Sequence, residues 1–295
     1  MNKNYKEILP KWFEEQKEYE LVLSDDLDSL LSCAILNKIM NWKIRYFYDF
    51  EHLYIGEKST KNAEQRVWVD VAVLNGEKAF DNHVSMVSLK DKRSSNMINP
   101  NVMCYITNEN YADKYAGSTA LLIWSLYGLP LPKSDEGKMI LLAIDSAFKG
   151  HYSSKFEERN TFFLREVLGY DELVRLMERR TANDFYEIIA KYGLNKKIKY
   201  INGKIQTDLN IQTIGKLLDI NLDIIEDDTY ELLEQYCICE QDIINEQTVS
   251  DISKYAFTLA FTFKNSVRYS TVKIEHKEET DMDWIMRLKS IRRAS

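Results

Sequence analysis

The stretch that most restricts the fold is LVLSDDLDSLLSCAIL, residues 21–36. Its first apolar residues are typical of a buried strand, and its later apolar residues recur at the spacing of an α-helix. Three acids, Asp25, Asp26 and Asp28, lie on the turn between the two, where loops commonly carry function. A helix cap at Asp28 or Ser29 is one explanation of the acids. A chain built on such strand-helix units has to cover a sheet with helices, so the stretch predicts an α/β fold.

The first half of the chain alternates strand-like and helix-like segments, which predicts a parallel sheet of about five strands flanked by helices. A helical connector follows, and the Asn-Gly pair in KKIKYINGKIQ (residues 196–206) predicts a β-hairpin. We expect a boundary between a domain over residues 1–192 and a smaller α/β domain over residues 193–295. The predicted strands are Glu20–Ser24, Lys43–Tyr48, Arg66–Val73, Met103–Asn108, Tyr255–Phe263 and Ser270–Glu275, and a short apolar piece lies around Ala79–Phe80. The main predicted helices are Tyr5–Lys17, Ser29–Met40, Ser118–Tyr127, Glu136–Phe148 and Asp281–Arg293.

Composition limits the classes of partner. The chain has 295 residues, a hydrophobic content of 45% and a net charge of −7, which disfavours a protein held to long duplex DNA by a basic surface. No apolar run has the length of a membrane span, and the first residues lack the apolar core of a signal peptide. The four cysteines do not form a disulfide framework, and buried thiols explain them better. We therefore expect a cytoplasmic protein that does not bind membranes.

Acids recur beside apolar segments at three further places. Asp70 lies in VWVDVAV near the end of a predicted strand, where open α/β sheets bind their ligands. FDNHVS contributes Asp81 and His83, and Asp145 follows the apolar run ILLAI. Each of these residues alone has an ordinary structural explanation. Together, carboxylates and an imidazole are the donors that manganese and magnesium accept, and a pair of such ions can activate water for attack at phosphorus.

The order of these segments resembles the DHH phosphoesterase superfamily over roughly residues 20–150. That family has a D-x-D motif after a strand, an acid at a second strand end, an Asp-His-His motif and a later acid on a helix. The matching residues here are Asp26 and Asp28, Asp70, Asp81-Asn82-His83, and Asp145. YAGSTALLIWSLYG (residues 115–128) also resembles the helix start that follows the third motif. The chain departs from the family where Ser24 and Val22 stand at positions usually held by a histidine, and where Asn82 replaces one histidine.

The resemblance implies two divalent cations, Mn²⁺ before Mg²⁺. One would be bound by Asp28, Asp70, His83 and Asp145, and the other by Asp26 and Asp70, with Asp25 or water completing the site. Asp70 would bridge the two ions. Asp81 would orient His83, so that these two residues form the catalytic pair.

The resemblance also implies a substrate and residues that bind it. NSVRYS, which contains Arg268, resembles the phosphate-contacting segment of the C-terminal domain that accompanies this family, and Lys149 and His151 are further candidates. The expected activity is hydrolysis of phosphodiester bonds in short oligonucleotides, cyclic dinucleotides or single-stranded DNA. A divergent member that binds a nucleotide or a protein partner without turnover is the alternative. The expected partner is a nucleotide or short oligonucleotide, without long duplex DNA, and a homodimer is left open.

Overall fold

The computed structural model describes residues 1–89, 95–242 and 246–273 and has an α/β architecture. In this described part, nine strands form one mixed sheet with helices packed against it, and two more form a separate hairpin. The strands are β1 Glu20–Leu23, β2 Lys43–Tyr48, β3 His52–Gly56, β4 Arg66–Val69, β5 Lys78–Phe80, β6 Met97–Ile98, β7 Ile198–Ile201, β8 Lys204–Thr207, β9 Tyr230–Asp242, β10 Thr258–Phe263 and β11 Ser266–Val272.

The helices cover the sheet and build most of the core. They are α1 Lys3–Glu7, α2 Leu27–Met40, α3 Pro100–Met103, α4 Thr119–Leu126, α5 Asp135–Ala143, α6 Glu157–Phe162, α7 Asp171–Glu178, α8 Ala182–Tyr192, α9 Ile211–Leu218 and α10 Glu246–Ser253. Helices α2 and α4 are buried along most of their length and pack against each other. Within the residues described, no helix has the combination of length and apolar character needed to cross a bilayer.

Five parallel strands form one end of the sheet, in the spatial order β2-β1-β4-β5-β6. All four residues of β1 are buried, as expected of a strand covered on both faces. Helix α2 connects β1 to β2 and is the crossover that two parallel neighbours require. Because the strands run in one direction, the segments that follow β1, β4 and β5 reach the same edge of the sheet.

Four antiparallel strands extend the sheet beyond β2, in the order β3-β9-β11-β10. Strands β3 and β9 have no counterpart among the predicted strands. In β9 two leucines, Leu232 and Leu233, are adjacent in the sequence, and both are exposed. Apolar and polar residues therefore do not alternate there, and that alternation is what indicates a strand in a sequence. Because β9 pairs with β3, the C-terminal strands continue the sheet of the N-terminal part of the chain.

The sheet curls until β10 reaches the segments that follow β4 and β5. Leu259 N donates to Ala72 O at 3.1 Å, and Phe261 N donates to Val84 O at 2.8 Å. Aromatic rings fill the enclosed face, among them Tyr48, Trp68, Tyr236 and Phe257. The curl therefore supports the two loops that carry the acids after β4 and β5.

Two predicted elements differ from the structure. The helix predicted over Tyr5–Lys17 is divided into α1 and a 3₁₀ helix, Lys11–Glu14, because Pro10 cannot continue an α-helix. The strand predicted over Met103–Asn108 is wrong, since the segment leaves α3 through a turn and makes a single bridge, from Thr107 to Met86, among the described residues.

The hairpin predicted from the Asn-Gly pair is confirmed. Strands β7 and β8 are antiparallel, and Asn202 and Gly203 at the turn have φ values of 47° and 82°. Both values lie in the left-handed region that tight hairpin turns require. The helix predicted over Asp281–Arg293 lies outside the described residues.

Candidate metal centre

Asp28 joins the starts of two helices. It lies in the first turn of α2, is 2% exposed, and accepts hydrogen bonds from the backbone amides of Thr119 at 2.8 Å and Ala120 at 2.7 Å. These amides belong to the start of α4, where a negative charge is favourable. The cap of α2 is Asp26, whose Oδ1 accepts from the amides of Asp28 and Ser29. A cap at Asp28 or Ser29 is therefore wrong, and Asp28 is held by a second helix instead.

Asp70 follows β4 and is bound to the same helix start. Its φ of 63° lies in the left-handed region, which aspartate adopts more readily than most residues and which ends the predicted strand Arg66–Val73 at Val69. The residue is 7% exposed, and its Oδ1 accepts a hydrogen bond from Thr119 Oγ1 at 2.8 Å. Thr119 therefore fixes Asp28 through its amide and Asp70 through its hydroxyl.

Asp81 and His83 follow β5 and form a hydrogen-bonded pair. Asp81 Oδ1 lies 2.7 Å from His83 Nδ1, and Asp81 Oδ2 accepts from Asn99 Nδ2 at 2.6 Å. A carboxylate on Nδ1 keeps a proton on that nitrogen, so Nε2 is the ring atom that a metal would bind after displacing its proton. The side chain of Asp81 is fully buried, whereas that of His83 is 39% exposed. One potential ligand atom from each of Asp70, Asp81 and His83 lies within 4.8 Å of the others, a spacing at which these residues could hold one cation.

Asp145 lies at a break in the helix predicted over Glu136–Phe148. Helix α5 ends before it, and Asp145 and Ser146 both adopt left-handed backbone, with φ values of 50° and 57°. Such strain persists where the surroundings impose it, often at functional sites. Asp145 Oδ2 accepts a hydrogen bond from Asn82 Nδ2 at 2.9 Å. Asn82 Oδ1 is buried without a hydrogen-bond partner among the described residues, and a cation or a water could supply one.

Asp25 and Asp26 face a lysine from the second half of the chain. Lys197 Nζ lies 2.9 Å from Asp25 Oδ1 and 3.5 Å from Asp26 Oδ2. Burial raises the pKa of Asp25, and Lys197 offsets part of that rise. The lysine directly precedes β7, so the hairpin contributes a positive charge to the acidic turn after β1.

Burial and mutual repulsion govern the electrostatics of the cluster. Burial raises the pKa of Asp28 and Asp70 well above the usual range of aspartate, and neighbouring carboxylates raise it further. Burial also raises the pKa of Asp145, although His83 acts in the opposite direction. For His83 itself burial alone would lower the pKa, but Asp81 and the other carboxylates raise it to about 9. Buried acids that repel one another are stabilised by a cation, and a set of carboxylate oxygens with one imidazole suits Mn²⁺ or Mg²⁺.

Three predicted substrate residues have other contacts. Arg268 lies on β11 with a half-exposed side chain, and its ion pair is with Glu240 on β9 at 3.9 Å. The Lys149 ammonium lies 6.0 Å from the ring centre of Tyr186, and His151 packs edge-on against the tyrosine that follows it. The roles of Arg268, Lys149 and His151 in substrate binding stay predictions.

Three residues that support the cluster were not selected from the sequence. Thr119 lies in the Ser-Thr pair whose resemblance to a helix start was visible, but its bond to Asp70 was not. Asn99 and Lys197 carry no signal in the sequence, because each reaches the cluster through the packing of a distant segment.

A polar cavity of about 620 Å³ lies at the opposite ends of the parallel strands. Its lining includes Tyr19, Arg66 and Glu77, which stand near the amino ends of β1, β4 and β5. Arg66 and Glu77 are paired with each other there. The cavity is therefore separate from the acidic cluster, which lies at the carboxyl ends.

The comparisons with known proteins do not assign this protein to a class, so its class is described from the fold and the site. No model of a known protein family matches the chain, and no curated protein matches it. The fold and the site define an α/β protein with a buried acidic cluster and one histidine at the carboxyl edge of parallel strands.

Proposed function

We propose that the protein is a divalent-metal-dependent phosphoesterase of the DHH type, which hydrolyses phosphodiester bonds in short oligonucleotides, cyclic dinucleotides or single-stranded DNA. The observation that carries the proposal is that acids from four separate segments, with one histidine, meet at one edge of the sheet. Thr119 bonds to both Asp28 and Asp70, and Asn82 links the third motif to Asp145. A buried carboxylate set of this kind is costly to a fold without a cation, which supports a metal-binding role.

Asp70 and His83 are the ligands that we propose for the cation, because their ligand atoms lie within 4.8 Å of each other and of Asp81. Asp145 is the further ligand that the resemblance implies. Asp70 and Asp145 each have one carboxylate oxygen engaged by a hydrogen bond, and His83 keeps Nε2 free of the bond to Asp81. Both carboxylate oxygens of Asp28 accept hydrogen bonds from the first amides of α4, so Asp28 would contribute negative charge to the site without binding the cation directly. A divalent cation bound here would lower the pKa of a coordinated water and polarise the phosphoryl group.

The chain's own residues supply orientation and charge. Asp81 fixes the imidazole of His83, and Asn99 fixes Asp81 in turn. Such outer contacts commonly change metal affinity by about 10–100-fold when they are removed. The proposed activity needs at least one cation, and the resemblance implies two.

The two parts of the chain would have the separate roles that the resemblance implies. Residues 1–192 would bind the metal, and residues 193–295 would contribute to substrate binding. The hairpin β7–β8 supports a contribution of the second part, because Lys197 contacts the acidic turn. The net charge of −7 favours short or single-stranded substrates over long duplex DNA.

The test is hydrolysis of bis-p-nitrophenyl phosphate, short oligonucleotides and cyclic dinucleotides, with manganese present and with manganese chelated. We expect turnover that needs manganese and that Asp70→Ala abolishes. The matched control is Asp227→Ala, which removes a carboxylate that is 93% exposed and paired with Lys204. Activity that survives Asp70→Ala would contradict the proposal. A wild-type protein that binds manganese but hydrolyses nothing in the panel would support the alternative of binding without turnover.

A further inference from the structure

We infer that Lys197 takes the place of a second cation, so that the site binds one divalent ion and carries a fixed ammonium beside it. The inference rests on the proposed function, because it concerns the same acidic cluster. It assigns a role to a residue that lies 171 positions from Asp26 in the chain and contacts it across the fold.

The ammonium contacts two of the acids at which a second ion was predicted. That ion was predicted at Asp26 and Asp70, with Asp25 or water completing the site. Lys197 Nζ lies 2.9 Å from Asp25 Oδ1 and 3.5 Å from Asp26 Oδ2. A divalent cation needs ligand oxygens at about 2.0–2.6 Å, so it and the ammonium compete for the same atoms.

Asp26 has little capacity left for a metal. Its Oδ1 already accepts from the amides of Asp28 and Ser29 as the cap of α2, and its Oδ2 faces Lys197. The contrast with Asp70 is clear, since one oxygen of Asp70 is engaged by Thr119 and the other has no hydrogen bond within the described residues. The carboxylates therefore divide into a metal-binding side and a lysine-binding side.

The position of Lys197 is fixed by its backbone. Ile198 N donates to Asp25 O at 2.7 Å, which ties the start of β7 to the acidic turn itself. Ile198 is 1% exposed, and two residues further along Tyr200 stacks on Tyr54 with ring centres 3.9 Å apart. The backbone of the lysine is thus attached to a segment that is packed on its C-terminal side, while the side chain itself is half-exposed.

The charge of the site is consistent with this arrangement. A fixed ammonium beside the acids supplies part of the positive charge that a second ion would bring, without needing a free cation. Placed next to a phosphodiester, an ammonium can also meet a phosphoryl oxygen as a point charge. Such a device would offset part of the negative charge that the acids present to the substrate, beside the single ion that would activate water.

The test is the number of manganese ions bound per chain, measured by calorimetric titration of the full-length protein. We expect one ion for the wild type and two for Lys197→Met, because the methionine removes the charge and leaves Asp25 and Asp26 open. The matched control is Lys204→Met on the same hairpin, which removes the ion pair with Asp227 and should leave one ion. Lys197→Gln serves as a second uncharged variant, and circular dichroism checks the fold of each.

The outcomes separate the inference from the proposed function. Two ions on the wild type, or one ion on both uncharged Lys197 variants, would overturn the inference and leave the proposed function standing. No manganese on the wild type would overturn the proposed function and the inference with it.

Discussion

Asp28 and Thr119 are 91 positions apart in the chain, yet the carboxylate of Asp28 accepts a hydrogen bond from the backbone amide of Thr119 at 2.8 Å. The bond places an acid of the first turn of α2 on the amino end of α4, where free amides favour negative charge. The hydroxyl of Thr119 also binds Asp70. A single residue thus sets the relative position of two acids, one in the first turn of α2 and the other directly after β4.

Thr119→Val removes the hydroxyl bond to Asp70 while its backbone amide remains on Asp28. We expect manganese affinity to fall by about tenfold, as is typical when a contact behind a metal ligand is lost. Stability should also fall by about 1–2 kcal/mol, because the valine leaves a buried carboxylate oxygen unpaired. Calorimetric titration and chemical unfolding measure the two effects.

Ser125→Ala is the control for this change. Ser125 is in the same helix and donates to Leu168 O at 2.7 Å, so its loss should cost similar stability without changing manganese affinity. Equal losses of affinity in the two variants would show that Thr119 acts through the stability of α4 alone.

Asp70→Asn should stabilise the metal-free protein. The amide keeps the shape, the left-handed backbone and an oxygen for Thr119, but removes a buried charge that repels Asp28 and Asp145. We expect a gain of about 0.5–2 kcal/mol in chelator, the usual range for a single stabilising substitution. Manganese should raise the melting temperature of the wild type and leave that of the variant unchanged. A variant less stable than the wild type in chelator would refute this account of the cluster.

Asp81→Asn should weaken the metal site through His83. His83 Nδ1 and Asn99 Nδ2 both bond to the carboxylate of Asp81. In the asparagine variant the side-chain NH2 group would face one of these two donors, and that hydrogen bond would be lost. We expect manganese affinity to fall by about 10–100-fold. Asp49→Asn is the matched control, because Asp49 also contacts a histidine, His52, at 3.3 Å but is not a proposed ligand. A similar loss in both variants would count against a specific role of Asp81.

Glu77 gives a pH-dependent contribution to stability away from the site. Burial alone would raise its pKa, but two bonds from Arg66 at 2.7 Å and one from Trp68 at 2.8 Å lower it. A carboxylate whose folded-state pKa is lowered stabilises the fold fully above its unfolded pKa of about 4.3 and loses that contribution as pH falls through the folded value.

Glu77→Gln should therefore cost about 1.5–3 kcal/mol at pH 7, because Arg66 loses its charged partner. The difference from the wild type should shrink as the pH is lowered below 4. Chemical unfolding of both proteins across this pH range measures it, and a difference that stays constant with pH would contradict the assignment.

The sequence predicted the local elements that have strong periodic signals. Strand β2 has the predicted bounds, α2 begins two residues before its prediction, and the β7–β8 hairpin follows from its Asn-Gly turn. The elements that were wrong or missed, such as β9 and the strand expected at Met103–Asn108, lack such a signal. In β9 the hydrogen bonds come from β3 and β11, so its conformation depends on partners far along the chain.

The sequence by itself determined which residues could carry chemistry, since acids and one histidine follow apolar segments in a fixed order. Only the tertiary structure decided how each one is used. Asp26 caps α2 through amides close to it in sequence. Asp28 is held by α4, and Lys197 faces the acidic turn, because amides and charges from distant segments meet there. An aspartate looks the same in the sequence whether it caps a helix, binds a cation or pairs with a lysine. Its partners distinguish these roles only after the chain has folded.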